Sequence, residues 1–149
     1  MPSKATNDAT RNEWQELGFF YSQDVPTRVW RFVGSRTGLL RFAALLENYA
    51  TDPRNKMISE HEHYGPYMYL KVMTSLEPGI DDHSIHGPLA DLQQLGRIVE
   101  DKLQTATSGH IVELGKEYAA NTDWLLRFEV KEEGCDPAEY DEALRQDTT

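Results

Sequence analysis

Histidine offers this sequence the widest chemistry, because imidazole binds metals and exchanges protons near neutral pH. Four of the five histidines fall between positions 61 and 86. The first two lie in EHEHYGPYMYL, Glu60 to Leu70. On an extended chain His61 and His63 project from one face about 7 Å apart, with Glu60 and Glu62 on the other. Such an H-x-H pair can hold a divalent metal. The second pair lies in DDHSIHG, Asp81 to Gly87. There His83 and His86, with Asp81 or Asp82, would add the nitrogen and oxygen ligands that suit zinc or manganese. One expectation is therefore a metal-dependent, hydrolase-like enzyme built on these four histidines. Against it, the sequence has no H-E-x-x-H, no cysteine pair and no acidic loop of calcium-binding spacing. The plainer expectation binds no cofactor and puts His61 and His63 in a polar loop and His86 in a turn before Pro88.

Other catalytic chemistry has less support. Cys135 stands among Glu132, Glu133 and Asp136, neighbours that disfavour a thiolate. No G-x-S-x-G elbow occurs, and Ser35, Ser59, Ser75, Ser84 and Ser108 all occupy cap or turn positions. Gly34 to Gly38 precedes a helix but lacks the phosphate-loop pattern, leaving Arg36 only an anion contact at a helix start. The carboxylate pairs Glu60/Glu62 and Asp81/Asp82 would act as acid and base only in a sheltered pocket, and their surroundings are too polar to expect one. Catalytic residues stay unassigned.

The elements that must position these residues show in the changing period of the apolar pattern. Residues 14–22 and 28–34 are aromatic and β-branched around a turn-like Gln23 to Thr27, which predicts a hairpin. From Leu39 the period becomes helical through Phe42, Ala43, Leu46 and Tyr49, with Ser35 or Thr37 as cap and Asp52-Pro53 as stop. Tyr67 to Thr74 reads as a strand. A second helix opens with Pro88 at its first position and carries Leu89, Leu92, Leu95, Val99 and Leu103. A second hairpin spans 110–118 and 123–132, its last strand alternating Trp124, Leu126, Phe128 and Val130 with Leu125, Arg127, Glu129 and Lys131.

The order ββαβαββ predicts an α+β two-layer sandwich, a mostly antiparallel five-stranded sheet with two helices on one face. The opposite face would then carry Tyr67, Tyr69 and Lys71 beside Leu125, Arg127, Glu129 and Lys131. The expected organisation is a flexible tail over 1–12, one domain over 13–133, and an acidic tail over 134–149 in which Asp136 and Pro137 can start a short helix.

The chain has 149 residues, a formal net charge of −10 and a single cysteine. One domain of this length buries enough surface to fold without disulfides or a structural metal. The acidity argues against nucleic acid as a partner, the short apolar runs argue against a membrane, and the lone cysteine fits a cytoplasmic protein.

The runs GSRTGLLRFAALLENYATDP, EHEHYGPYMYLKVMT and DDHSIHGPLADLQQL resemble a family of small bacterial α+β proteins of unassigned activity. These are similar to predicted immunity proteins of polymorphic toxin systems, and the likeness covers roughly residues 14–131. It implies a non-enzymatic inhibitor that binds a basic toxin domain and assigns no catalytic residue. Contacts are expected from Tyr64, Tyr67, Tyr69 and Arg127, with Glu60, Glu62, Asp81 and Asp82 supplying charge, because Tyr and Arg concentrate at interfaces. A homodimer packed through its open faces is the remaining expectation.

Overall fold

Ser3 and Gly18 bracket the first helix. In the computed structural model, which describes residues 3–145, the Ser3 hydroxyl accepts a hydrogen bond from the Thr6 N–H and Gly18 takes φ 95°. These are the cap residues that start and stop a helix, so α1 runs Lys4–Leu17. Residues 4–12, expected as a flexible tail, are thus helical, and the strand expected from residue 14 begins only at Phe20. Met1 and Pro2 of that tail lie outside the described residues. The pattern hid this helix because α1 buries only Asn7 and Trp14, too few to draw an apolar stripe.

β1 (Phe20–Asp24) pairs antiparallel with β2 (Val29–Ser35), the expected first hairpin. α2 (Arg36–Thr51) follows at once, capped by the Ser35 hydroxyl on the Gly38 N–H and ended at Asp52-Pro53. Its expected stripe from Leu39 to Tyr49 is buried. Four short strands come next: β3 (His61–Tyr64), β4 (Leu70–Thr74), β5 (Gly79–Ile80) and β6 (Ile85–Gly87). α3 (Leu89–Gln104) starts one residue after Pro88, which is its cap and not its first residue. β7 (Ile111–Leu114) and β8 (Leu125–Lys131) form the expected second hairpin.

The fold is α+β, but one five-stranded sheet does not form. Two four-stranded mixed sheets do, ordered β1-β2-β8-β7 and β3-β4-β6-β5. In each a parallel central pair, β2/β8 or β4/β6, is flanked by antiparallel neighbours. The ββαβαββ order failed because β3, β5 and β6 have four, two and three residues, too short for alternation to register. The two expected helices do not share one sheet face either: α2 lies over β2 and β8, while α3 packs along α2 and reaches β6. At the centre Phe32 and Phe128, in register on β2 and β8, stack 5.0 Å apart, and Phe42 of α2 sits 4.6 Å from Phe32.

The C-terminal segment belongs to this core. As expected, Asp136 caps a short 3-10 helix with Pro137 first, Pro137–Tyr140. It packs against α1, and α4 (Glu142–Arg145) follows. Ala138, Asp141 and Leu144 are buried, so the part of the expected acidic tail up to 145 is structural; residues 146–149 lie outside the described residues. Among the described residues no helix is long and apolar enough to cross a membrane.

Candidate functional site: an aromatic pocket with an acid at its base

Trp14 on α1 and Tyr67 in the loop between β3 and β4 meet at Asp141, just before α4, and Tyr21 on β1 packs against Trp14. Asp141 Oδ2 accepts from Trp14 Nε1–H at 2.9 Å and from the Tyr67 hydroxyl at 2.6 Å, and Oδ1 accepts from Ala143 N–H at 3.0 Å. Burial, and then the carboxylate it donates to, push the Tyr67 hydroxyl well above the ordinary phenol range, so it stays a donor. Around the acid the rings pack edge to face or tilted: Trp14 to Phe20 at 4.9 Å, Trp14 to Tyr21 at 5.1 Å, Trp14 to Tyr67 at 6.0 Å and Tyr67 to Tyr69 at 5.9 Å. Such contacts each stabilise by about 0.5–1.5 kcal/mol beyond area burial.

The result is a pocket of about 340 Å³, with Tyr67 and Tyr69 at its mouth, 39% and 68% exposed. Four consecutive β1 residues, Phe20 to Gln23, also line it. Side chains alternate faces along a strand, so a cavity touching all four runs along the strand's edge. Among the described residues β1 is outermost in its sheet and pairs with β2 alone.

The loop carrying the tyrosines is held tightly. Gly65 takes φ 85°, and a Cβ there would come 2.5 Å from the Tyr21 hydroxyl. That hydroxyl donates to the Tyr64 carbonyl and accepts from the Leu70 N–H at 3.2 Å. Met68, expected to face inward with Leu70 and Val72, is instead exposed at φ 63°. Its carbonyl accepts from His63 Nδ1 at 2.9 Å. A non-glycine residue in the left-handed region stores about 1–3 kcal/mol of strain, here between the two exposed tyrosines.

The other nominated contacts do not join this surface. Arg127 lies on the outer face of the first sheet and is engaged by Glu113 at 2.9 Å. Beside it the Arg31 guanidinium, bidentate on Glu129, holds that carboxyl below the usual range. Leu125, Arg127, Glu129 and Lys131 do point away from the buried Leu126, Phe128 and Val130. The expected tyrosine-bearing face nevertheless does not exist there, because Tyr67, Tyr69 and Lys71 belong to the other sheet and its loop. Glu62 and Tyr64 line a separate groove of about 510 Å³ with Arg41, Tyr49 and Arg54. There the Tyr64 hydroxyl, raised by burial and by Glu62, donates to Glu62 at 2.9 Å. The Glu60 carbonyl accepts from the Tyr49 hydroxyl. Asp81 organises a turn, its carboxylate accepting from the N–H groups of His83 and Ser84 at 2.8 and 2.9 Å. Asp82 is exposed beside His83, 3.6 Å away.

The two histidine segments do meet in one sheet, with β4 between them. His61 is in register with Met73, and Met73 with His86. His61 and His63 are exposed, their rings 5.2 Å apart. Their Nδ1 atoms bond the carbonyls of Ser59 and Met68, both at 2.9 Å. His86 Nδ1 bonds the Ser84 hydroxyl, and His83 is exposed. Among the described residues no three His, Cys, Asp or Glu side chains gather as a metal site. Cys135 is half-buried; burial first, and Glu133 and Asp136 after it, push its thiol up.

Sequence reasoning named Tyr67 and Tyr69 but missed Trp14, Tyr21 and Asp141. Asp141 stands 127 residues from the tryptophan it bonds, a separation that local patterning does not span. Compared with known proteins, the chain matches no family model, no curated protein and no solved structure.

Proposed function

We propose that this chain is a non-enzymatic binding protein that captures a basic protein partner, as an immunity protein captures a toxin domain. The observation that supports the reading is the exposed Tyr67/Tyr69 pair over an acid-based aromatic pocket, in a chain of net charge −10. Tyrosines at a well-packed pocket are typical binding anchors, and a net negative field steers a basic partner toward them. The test is growth rescue of bacteria expressing a panel of basic toxin domains, followed by affinity measurements on the purified pair. The expected result is a stoichiometric complex that weakens at least tenfold between about 50 mM and about 500 mM salt, because screening shortens from roughly 14 Å to roughly 4 Å. Rescue without a complex, or a complex indifferent to salt, contradicts the reading.

A second reading, a divalent metal at His61 and His63, is favoured by the two Nδ1 bonds to backbone carbonyls. A carbonyl can only accept, so each ring donates from Nδ1 and leaves Nε2 as the nitrogen a metal would take, the arrangement seen in metal-ligating histidines. Elemental analysis of tag-free protein decides this reading: stoichiometric zinc or manganese, lost on His61→Ala with His63→Ala, supports it, and metal-free protein contradicts it.

A further inference from the structure

His61 and His63 offer a metal two nitrogens, half of what a tetrahedral zinc takes. We infer that the other half comes from a second copy of the chain, so that one zinc clasps two β3 edges into a homodimer with four imidazoles around it. This rests on the metal reading of His61 and His63 and names what completes that site.

Three observations carry it. First, the two rings are spaced as ligands of one ion are. An extended strand sets alternate side chains about 7 Å apart, but these rings lie 5.2 Å apart and nearly perpendicular, at 89°. Two imidazoles on one zinc, with Zn–N of about 2.0–2.1 Å and tetrahedral angles, have centroids roughly 5 Å apart. The carbonyls of Ser59 and Met68 engage both Nδ1 atoms, which leaves Nε2 of each ring for the metal. Both residues are exposed.

Second, the pair is incomplete within one chain. Structural zinc takes four protein ligands and catalytic zinc takes three. Among the described residues no third His, Cys, Asp or Glu joins the two histidines.

Third, β3 is an edge that can meet its own copy. Among the described residues it is outermost in its sheet and pairs with β4 alone, and His61, Glu62 and His63 are all exposed. Thr74 N–H donates to the Glu60 carbonyl at 2.9 Å, so Glu60 faces β4. Backbone groups alternate in direction along an antiparallel strand, so those of His61 and His63 face the free edge. A two-fold antiparallel pairing with Glu62 opposite Glu62 then sets each His61 opposite the His63 of the other copy. Alternation of side chains brings all four rings to one face, with opposite residues about 5.5 Å apart. The contact is isologous, the commonest form of dimer. On the other face Glu62 meets its twin, a like-charge contact that opposes pairing, and each copy carries a net charge of −10. The edges therefore join only with the metal between them.

The probe is zinc chloride, added to the tag-free, chelator-treated chain, with mass read by light scattering and zinc by elemental analysis after gel filtration. The expected result is a monomer without metal and a doubled mass with it, at one zinc per two chains, reversed by EDTA. Cobalt in place of zinc is expected to give the intense visible absorption of a tetrahedral site. His61→Ala and His63→Ala, at exposed positions, are each expected to abolish the doubling with circular dichroism unchanged. His83→Ala, exposed in the turn before β6, is expected to leave it intact. A monomer that holds one zinc per chain keeps the metal reading and overturns the dimer; a chain that takes no zinc overturns both. Doubling that survives EDTA or the paired His61→Ala and His63→Ala variant, or that His83→Ala abolishes, also overturns the inference.

Discussion

Asp141→Ala tests whether the C-terminal segment is part of the fold and of the pocket. Asp141 is 5% exposed and takes three hydrogen bonds, from Trp14, Tyr67 and Ala143. Truncation leaves the Trp14 indole N–H, on a residue 1% exposed, without an acceptor, which costs about 1–3 kcal/mol. Tyr67 can turn its hydroxyl to water, so its loss is smaller, about 0.5–1 kcal/mol. The freed Ala143 N–H adds a cap loss of about 0.5–1 kcal/mol. Relief from burying a carboxylate offsets part of this, leaving a net loss of about 2–4 kcal/mol. Urea unfolding followed by tryptophan fluorescence reads it directly: with a slope of about 2 kcal/mol per molar, the midpoint falls by about 1–2 M. A double-mutant cycle with Trp14→Phe is expected to show about 1 kcal/mol or more of coupling, because the two residues share one bond. A midpoint within experimental error of the parent protein, or strictly additive single variants, would refute the reasoning.

Two further outcomes follow from the same packing. Gly38→Ala raises helix propensity by about 1 kcal/mol, but its Cβ would come 2.0 Å from the Gly18 carbonyl oxygen, which is backbone. Overpacking of about 1–3 kcal/mol then wins, and a thermal melt should show a lower Tm; an unchanged or higher one contradicts the close approach of α2 to the end of α1. In alkali, burial is the first cause that raises the hydroxyls of Tyr21, Tyr64, Tyr67 and Tyr118. Their folded pKa values exceed the unfolded value of about 10, so the stability they contribute is intact below that pH and is lost as pH rises above it. Ultraviolet titration should show these phenols ionising together with loss of structure; ionisation near pH 10 in a protein with native circular dichroism counts against it.

What the sequence revealed depended on the length of each pattern. The helix from Leu39 to Tyr49 and the strand from Leu125 to Lys131 were legible because each repeats its period several times over a fully buried face. Both hairpins were legible from turn residues between such runs. The second sheet was not, since a two-residue strand such as Gly79–Ile80 has no period to detect. α1 was not read as a helix, because its packing rests on Trp14 and Asn7 alone and draws no apolar stripe. Tyr67 and Tyr69 stood out by residue type alone. Their partners did not, since Trp14 and Asp141 come together only when the two chain ends fold over the same loop.

The two charged surfaces of the molecule are not equivalent for a partner. On the outer face of the first sheet Arg127 already pairs with Glu113, and Arg31 with Glu129. A partner docking there must compete with bonds the protein makes to itself, and exposed pairs of this kind contribute little, roughly 0–1 kcal/mol. At the β1 edge the balance differs. There Tyr67 and Tyr69 are exposed, and Asp141 beneath them accepts from Trp14 and Tyr67. The strained Met68 between the two tyrosines fits the same account, since strain persists where the surrounding structure imposes it and concentrates at ligand clamps. A partner meeting the tyrosine side finds exposed rings, while the arginine–glutamate pairs belong to the folded protein's own outer wall.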